Sequence, residues 1–258
     1  MKSLLQILFV CSALALFSCS AQAIVNVEQA IIGHDTDGVH TTLGLLASGA
    51  NGNSIHSKTK ADLLTLWQHE KNSEFLQMQY ANGQSQGQVD TDNAFIHLRH
   101  RSDITDSLGI EGFAQVGQDH FARLSRRTLI GTGLRWVVFE NDKKSAAYIG
   151  TGIAQEQETL SPVAGINDLT QKTTWRATTY LVLKRQYNDM VRLNSATFYQ
   201  PSIANADDFR LLEQASLLVK LDDHLDLKIN LDISFDSMPP QTVQKHDLLY
   251  STGLEYKF

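Results

Sequence analysis

The sequence predicts an all-β protein, a transmembrane antiparallel up-and-down β-barrel of about 12 strands. Three observations predict it. Segments in which apolar and polar residues alternate recur along the chain, their connections alternate between short and long, and the last segment ends on Phe258. Alternation with a period of two indicates a strand with one apolar face, and its repetition between turn residues is typical of membrane barrels.

Residues 1–23 are typical of a secretory signal peptide. A basic residue is followed by an apolar stretch over residues 4–17 and by a small-x-small cleavage site that ends at Ala23. The apolar stretch is shorter than the roughly 20 residues that a spanning helix needs. Cys19 follows a partial lipobox, so its lipidation stays open as an alternative to cleavage after Ala23.

The predicted mature chain divides into a periplasmic N-terminal segment, residues 24–38, and a barrel domain, residues 39–258. Both cysteines, Cys11 and Cys19, lie in the predicted signal peptide, so the mature chain needs no disulfide and no catalytic thiol. Removal of Lys2 leaves 21 of the 22 basic residues against 28 acidic ones, a formal charge of −7. This balance argues against nucleic acid as a partner.

The clearest strand is the eleventh. Over residues 225–236, apolar and polar residues alternate without exception, a pattern that no helix of period 3.6 can segregate. Gly131 and Gly133 lie on the polar face of the sixth strand and Gly150 and Gly152 on that of the seventh, where glycines often mark close backbone approach. The predicted strands cover residues 39–48, 55–70, 74–83, 93–102, 108–118, 126–139, 145–156, 173–183, 190–199, 208–221, 225–236 and 246–258.

The connections favour a membrane barrel over a soluble sandwich or a lipocalin-like barrel. We expect short connections at 71–73, 103–107, 140–144, 184–189 and 222–224. We expect longer ones at 83–92, 119–125, 157–172, 200–207 and 237–245. An even-stranded barrel with both termini in the periplasm has this alternation, although the connection at 49–54 is short where a long one is expected. Glu213 lies on the apolar face of the tenth strand, and we expect it at the outer rim, above the hydrocarbon.

The C-terminal third resembles a known family. The run from Asp232 to Pro240, with its two adjacent prolines, and the strand that leads to Phe258 are similar to the end of the salt-induced outer-membrane protein family, catalogued as domain of unknown function 481. Residues 48–54 and 131–136 are also similar to it, whereas Met238 departs from its pattern. The resemblance implies an outer-membrane location and brings no activity, cofactor or catalytic residue.

Candidate chemistry is sparse. Residues 34–40 include His and Asp, which are residue types that bind metal ions, but they lack the third Asp and the distal Glu of a calcium loop. We therefore interpret them as a polar turn. His97 and His100 are three apart in one strand and therefore point to opposite faces, with His97 as a solvated lumen residue. No compact motif marks a nucleophile, and a lipase-like triad is recognised by geometry alone. We predict no catalytic, metal or cofactor site.

The polar faces of the strands predict the lumen lining. If the turn at 103–107 is symmetric, Arg99 lies directly opposite Glu111, where a charge pair is favourable. The mixed charges leave two interpretations open: an aqueous path of modest selectivity, or a lumen that is largely filled. A strand number of about 12 does not decide between these two interpretations, because eight-stranded barrels are filled and barrels of roughly 16 strands are open. The predicted lining residues are Lys58, Lys60, Asp62, His97, Arg99, Arg101, Glu111, Arg135, Asp226, Lys228, Asp232 and Asp236.

The leading functional hypothesis is a narrow passive channel for small solutes or ions. The alternative is a non-conducting structural or osmotic-stress barrel, and a lipid-active enzyme is the least favoured. Expected partners are outer-membrane lipid and lipopolysaccharide, the barrel-assembly machinery and a small solute or ion. Neither the solute nor the oligomeric state follows from the sequence.

The last strand predicts an assembly signal formed by Leu254, Tyr256 and Phe258, which face lipid near the periplasmic interface. We expect the edge of this strand to pair with the first strand near residues 39–45. Deleting Phe258 should impair assembly. Replacing Glu111 or its arginine partner should alter the lumen and leave assembly largely intact.

Overall fold

The computed structural model describes residues 37–50, 55–141 and 145–258. The described strands form one closed antiparallel barrel in which each strand pairs with its neighbours in the chain, and β12 pairs with β1. The predicted fold class is therefore confirmed, while the predicted signal peptide lies outside the described residues. The strands are β1 Gly38–Ala50, β2 His56–His69, β3 Asn72–Ser85, β4 Gln88–Asp103, β5 Leu108–Asp119, β6 Leu124–Asn141, β7 Ser145–Leu160, β8 Gln171–Gln186, β9 Val191–Pro201, β10 Phe209–Lys220, β11 Leu225–Asp236 and β12 His246–Lys257.

Strand length and alternation suit a membrane-spanning wall. The strands have 11 to 18 residues, against the roughly 9 to 11 that a tilted strand needs to cross a bilayer. In β11 the apolar residues point outward and are exposed, as Ile229, Leu231 and Ile233 show. Apolar side chains on the outside and polar ones on the inside are the arrangement of a transmembrane barrel. Among the described residues no helix is long and apolar enough to cross a membrane.

The barrel closes through a short seam between β1 and β12. Four positions pair, from Thr42 with Lys257 to Leu45 with Leu254. The backbone N–H of Phe258 adds a hydrogen bond of 2.9 Å to the carbonyl of Thr41. The pairing falls within the segment of β1 that the sequence predicts.

The connection between β3 and β4 differs from the predicted long loop at 83–92. Both strands extend further, and only Gln86 and Gly87 join them. These two residues have φ angles of 49° and 78°, which is the backbone of the two-residue hairpin turn that matches strand twist. A polar, glutamine-rich sequence that resembles a loop is therefore paired strand.

A side-chain cap also shortens the connection between β5 and β6, predicted to be long. Asp119 Oδ1 accepts the backbone N–H groups of Phe121 and Ala122 at 3.0 and 3.1 Å, and only residues 120–123 lie between the strands. Among the connections that the structure describes in full, the long ones follow β7, β9 and β11. We call the end of the barrel that carries 161–170, 202–208 and 237–245 the long-loop end, and the other the short-turn end.

Aromatic side chains ring the outer surface near both ends. At the long-loop end, Tyr199, Phe209 and Phe235 lie side by side, with ring centroids 5.7 and 5.6 Å apart. At the short-turn end, Tyr256 and Phe258 form an edge-to-face pair at 5.0 Å. Two aromatic girdles are typical of barrels in a bilayer.

Glu213 does not lie at the rim. It is the fifth of the twelve residues of β10 and points outward. The hydroxyl of Ser195 donates to its carboxylate at 2.7 Å, and that of Thr197 donates to the other oxygen. Neighbouring hydroxyls on β9 therefore satisfy this carboxyl group within the apolar outer face.

Candidate functional site

The inner face of the barrel has two unlike parts. Inward-facing side chains of β4 to β9 are buried against one another and form what we call the packed wall. It includes His97, Arg99, Arg101, Glu111, Gln115, Arg127, Leu129, Arg135, Tyr148, Glu156, Arg176, Tyr180, Val182, Asn194 and Phe198. Inward-facing side chains near the middle of β11, β12 and β2 remain half-buried, and we call them the accessible wall. It consists of Lys58, Lys60, Asp62, Asn230, Asp232, Leu249 and Ser251.

Glycines in β6 and β7 make room for large side chains in the packed wall. The Tyr180 ring lies over Gly150 and the Phe113 ring over Gly131, so that a Cβ at either glycine would overlap the ring. Phe113 also stacks on His97 with ring centroids 5.9 Å apart. Gly131 and Gly150 thus make room for aromatic rings, whereas at Gly133 and Gly152 the backbone of the neighbouring strand approaches closely.

Glu111 connects distant strands across the middle of the lumen. The hydroxyl of Tyr180 on β8 donates to Glu111 Oε1 on β5 at 2.8 Å. The guanidinium groups of Arg99 and Arg101 lie 3.4 and 3.6 Å from Oε2. These contacts compensate a buried carboxylate, which would otherwise be costly in the barrel interior.

The predicted register at Glu111 is wrong by one pair. Arg101, and not Arg99, lies directly opposite Glu111. The hydroxyl of Thr105 accepts two backbone N–H groups of the turn at 3.1 and 3.3 Å, which moves the turn centre one residue beyond that of a symmetric turn over 103–107. Both arginines still reach the carboxylate, because they share its face.

Charged side chains of five strands meet at the long-loop end of the lumen, in what we call the ionic cluster. Glu156 is at its centre. Its carboxylate accepts hydrogen bonds from Arg127 Nε at 2.6 Å and Arg176 Nε at 2.7 Å, and a third from Arg210. All members are buried. The ionic cluster consists of Arg127, Glu156, Glu158, Arg176, Asp208, Arg210 and Asp236.

The outer members of the ionic cluster complete its pairing. Arg210 also donates to Glu158 and to Asp236, each at 2.8 Å. Arg176 donates to Asp208 at 2.9 Å. Because buried ions are stable only when paired and hydrogen-bonded, these contacts tie β6, β7, β8, β10 and β11 together across the lumen.

Lys172 balances the cluster at its edge. Its Nζ lies 2.7 Å from Asp208 Oδ2, so four cations face four carboxylates. Burial raises the pKa of the Asp208 carboxyl, but the hydrogen bond from Lys172 and the charge of Arg176 outweigh burial and hold the pKa below its usual range. With four cations and four carboxylates, the formal charges of the ionic cluster and Lys172 cancel.

Arg123 ties three connections together above the ionic cluster. Its guanidinium donates to both carboxylate oxygens of Asp168, at 2.8 and 3.1 Å, and to the carbonyls of Ser161 and Gln241. These partners belong to the connections at 161–170 and 237–245. The hydrogen bonds from Arg123 hold the pKa of Asp168 below its usual range. We call this set of contacts the Arg123 clasp.

At the short-turn end the predicted lining residues lie in buried ion pairs. Lys228 Nζ lies 2.6 Å from Glu255. Asp226 is fully buried between Lys257, at 3.1 Å, and Arg192. The charges of Lys228 and Asp226 are therefore compensated by side chains of other strands of the barrel.

Of the other predicted lining residues, Asp236 belongs to the ionic cluster, and the rest divide between the two walls. Lys58, Lys60, Asp62 and Asp232 belong to the accessible wall. The solvated setting expected for His97 is wrong, since it is 0% exposed and its Nδ1 lies 3.0 Å from Gln115 Oε1.

The sequence reasoning missed most of the ionic cluster. Arg127, Glu156, Arg176 and Arg210 each lie on the polar face of their strand, and this is the signal that could have found them. Their contacts join strands that are not adjacent, as between Arg210 and Glu156, which lie 54 positions apart. Alternation gives the face of a residue but not its partner across a lumen.

The described residues contain no group of three or more His, Cys, Asp or Glu side chains placed to hold a metal ion. Residues 34–36 of the segment 34–40 lie outside the described residues. Of that segment, Asp37 Oδ1 accepts the backbone N–H of Glu70 at 3.0 Å. Asp37 thus contacts the turn between β2 and β3.

The closed barrel, its apolar outer face and its charged lumen define a transmembrane β-barrel of the kind found in bacterial outer membranes. The NanC porin is similar over 85% of this chain and 100% of its own, with 10% identity and a TM-score of 0.53. The chain is also similar to the translocator domain of the autotransporter NalP from Neisseria meningitidis, over 90% of this chain and 93% of that one, with 12% identity and a TM-score of 0.49. A further match is the KdgM porin, over 86% of this chain and 99% of that one, with 9% identity and a TM-score of 0.42. At these identities the likeness concerns the fold alone.

The chain belongs to the DUF481 family, described as "Protein of unknown function, DUF481", whose model matches residues 42–258. The match covers β2 to β12 in full and most of β1, and it confirms the resemblance at the C-terminal third. The description names no activity, and salt induction stays a prediction. No curated protein is significantly similar to this chain.

Proposed function

We propose that this protein is a narrow passive channel for small polar solutes or ions in a bacterial outer membrane. In this proposal the long-loop end faces the outside of the cell and the short-turn end faces the periplasm. The barrel class and the signal peptide predicted over residues 1–23 support the location.

The accessible wall carries the proposal. Its side chains point into the lumen yet stay half-buried, whereas those of the packed wall are buried. Short polar side chains dominate its centre, where Asn230 Nδ2 lies 3.4 Å from Ser251 Oγ. Lys60 and Asp62 add charges of opposite sign on β2. Such a strip suits small hydrated solutes and favours neither sign strongly.

The packed wall restricts the size of the path. Arginine, glutamate and aromatic side chains fill the lumen beside β4 to β9, and the ionic cluster crosses it at the long-loop end. We therefore expect single-channel conductance far below that of an open porin with roughly 16 strands.

Cysteine block of single channels tests the proposal. The mature chain contains no cysteine if residues 1–23 are removed, so single cysteines can be introduced cleanly. Asn230 and Asn194 lie in one row of the sheet, joined through Ser216, but only Asn230 belongs to the accessible wall. A small charged thiol reagent should reduce the current through Asn230→Cys and leave that through Asn194→Cys unchanged.

Two results would contradict the proposal. One is silence at all voltages although the barrel is folded, as judged by its heat-modifiable migration on gels. The other is equal block of both cysteine variants, which would place the path elsewhere in the lumen.

A non-conducting structural barrel is the second candidate, and the ionic cluster with the Arg123 clasp favours it. These contacts join non-adjacent strands and loops, which would strengthen a wall rather than keep a pore open. A silent protein whose deletion weakens the envelope under osmotic stress would support this function. We propose no enzymatic activity, and phospholipid turnover by the purified barrel would contradict that.

We also propose that the barrel-assembly machinery reads the C-terminal strand. Leu254, Tyr256 and Phe258 are exposed on the outer face of β12, and Phe258 pairs with the seam. Deleting Phe258 should lower the amount of folded barrel in the outer membrane. Tyr250→Ala is the control, because it removes an exposed aromatic from the same face but away from the terminus. Equal loss in both variants would contradict the proposal.

A further inference from the structure

The outer surface of β1 to β6 contains a groove that the channel function does not use. Its volume is about 510 Å³, within the roughly 300–1,000 Å³ of typical ligand sites. It opens towards the bilayer rather than the lumen, since its lining comes mainly from outward-facing side chains. Two small residues, Ala61 and Ala94, lie among its larger lining side chains, and we call them its floor.

Polarity changes along the groove. The outward-facing side chains that line it on β1 to β4 are apolar or aromatic, as at Ile96 and Tyr80. At the other end Gln118 and Arg126 line it. Gln118 is the residue before the last of β5, and Arg126 is the third of β6, so this polar end is at the long-loop end of the barrel.

Arg126 has no partner charge among the described residues. Its side chain is exposed on the outer face, while the next residue, Arg127, points inward to the ionic cluster. Arg126 forms no ion pair within the described part of the chain. Its cross-strand partner Thr159 is neutral. A guanidinium in this position is suited to a phosphate, which it can bind through two parallel hydrogen bonds.

The dimensions of the groove suit an acyl chain. It crosses from β1 to β6, and five strand spacings amount to about 24 Å. This distance runs across the strands along the outer surface, from the apolar lining to Arg126. An acyl chain can therefore lie along the apolar floor while its headgroup stays at the level of Arg126.

We propose that this groove binds a phosphorylated lipid of the outer leaflet, of the lipid A class, with one acyl chain over Ala61 and Ala94 and a phosphate on Arg126. The inference rests on the outward orientation of the long-loop end in the proposed function, and it does not require conduction. It assigns to Arg126 and to the two alanines a role that the lumen does not explain.

Lipid binding by the purified full-length barrel tests the proposal, with native mass spectrometry and two probes, lipid A and dephosphorylated lipid A. The wild type should prefer lipid A. Arg126→Gln should bind lipid A about tenfold or more weakly, the loss expected for one charge-assisted contact, and should lose the preference for phosphate. Ala94→Trp, which fills the floor, should weaken binding of both probes.

Matched variants control for surface charge and bulk. Arg185→Gln removes an exposed arginine at the short-turn end, and Ala177→Trp adds bulk to the outer face of β8. Both should bind lipid A as the wild type does. Unchanged affinity in Arg126→Gln and Ala94→Trp, or equal loss in the control variants, would overturn the proposal.

Orientation and conduction are tested separately. A membrane-impermeant maleimide should label Asn167→Cys, in the exposed connection 161–170, on intact cells. Labelling only after the outer membrane is opened would overturn the outer-leaflet assignment. Absence of current in bilayers would remove the channel proposal and leave the lipid result standing.

Discussion

The packed wall and the accessible wall share one lumen and one alternation pattern, yet their inward-facing polar side chains are buried in the first and half-buried in the second. Arg99 in the packed wall is 3% exposed and contacts Glu111, whereas Lys60 in the accessible wall stays half-buried. Both are cations on the polar face of a strand. The difference teaches that a charged inner face does not by itself make a solvated pore, because partners across the lumen decide whether a charge meets water.

Side-chain size explains how the two walls coexist. Glycines such as Gly150 let long side chains from neighbouring strands lie flat in the packed wall. The accessible wall instead contains Ser251 and Asn230, which are too short to reach across. The packed wall therefore stabilises the barrel, and the accessible wall leaves room for solutes.

The largest expected effect is that of Glu156→Gln in the packed wall. This change removes the carboxylate that accepts from Arg127, Arg176 and Arg210 and leaves buried cations uncompensated. We expect a loss of about 3–5 kcal/mol in the free energy of unfolding. Urea unfolding of the reconstituted barrel, followed by heat-modifiable migration, measures it.

Asp232→Asn is the matched control in the accessible wall. Asp232 accepts one hydrogen bond, from Gln214 at 3.1 Å, and is half-buried. Its neutralisation should cost about 1 kcal/mol or less. A loss equal to that of Glu156→Gln would remove the distinction between the two walls.

A smaller loss is expected for Glu111→Gln. The expectation that replacing Glu111 leaves assembly largely intact does not suit its setting, because Tyr180, Arg99 and Arg101 all contact the buried carboxylate. We expect the unfolding free energy to fall by about 1.5–3 kcal/mol. Tyr180→Phe, which removes one donor only, should cost less than Glu111→Gln in the same urea titration. A larger loss in Tyr180→Phe than in Glu111→Gln would show that the hydroxyl of Tyr180, and not the charge of Glu111, stabilises these contacts.

Gly150→Ala tests whether the packed wall needs the space that Gly150 leaves for the Tyr180 ring. A Cβ there overlaps the Tyr180 ring, and overpacking of this kind costs about 1–3 kcal/mol. Gly112→Ala is the control, since the nearest atom to its added Cβ is 3.9 Å away. Unfolding midpoints of the two variants should differ clearly. Equal midpoints would mean that the ring shifts without cost.

The fold could be predicted from the sequence because each strand carries its own pattern. In β11 the alternation over residues 225–236 coincides with the observed strand bounds. The turns were harder to predict from the sequence than the strands. Gln86 and Gly87 form a tight hairpin in a stretch that reads as loop, and the hydroxyl of Thr105 shifts a turn centre by one residue. Such details depend on single backbone conformations and caps.

The lumen was predictable only in part. Strand phase predicts that Lys60 and Glu111 share the inner face, but it does not separate the half-buried charge of Lys60 from the buried charge of Glu111. That separation depends on contacts such as Arg210 with Glu156 and Tyr180 with Glu111, which span 54 and 69 positions. Local periodicity carries no information about pairs of this kind.

The smallest expected effect concerns the Arg123 clasp, which covers the packed wall. The folded pKa of Asp168 lies below its usual value of about 3.9, so its pairing contributes fully above that pH. The contribution is lost as the pH falls through the lower, folded pKa. Cleavage of the connection 161–170 should therefore be slower in the wild type than in Asp168→Asn with thermolysin at pH 7, and this difference should shrink with pepsin as the pH is lowered towards the folded pKa. Equal cleavage at pH 7 would show that the carbonyls of Ser161 and Gln241 hold Arg123 without the carboxylate.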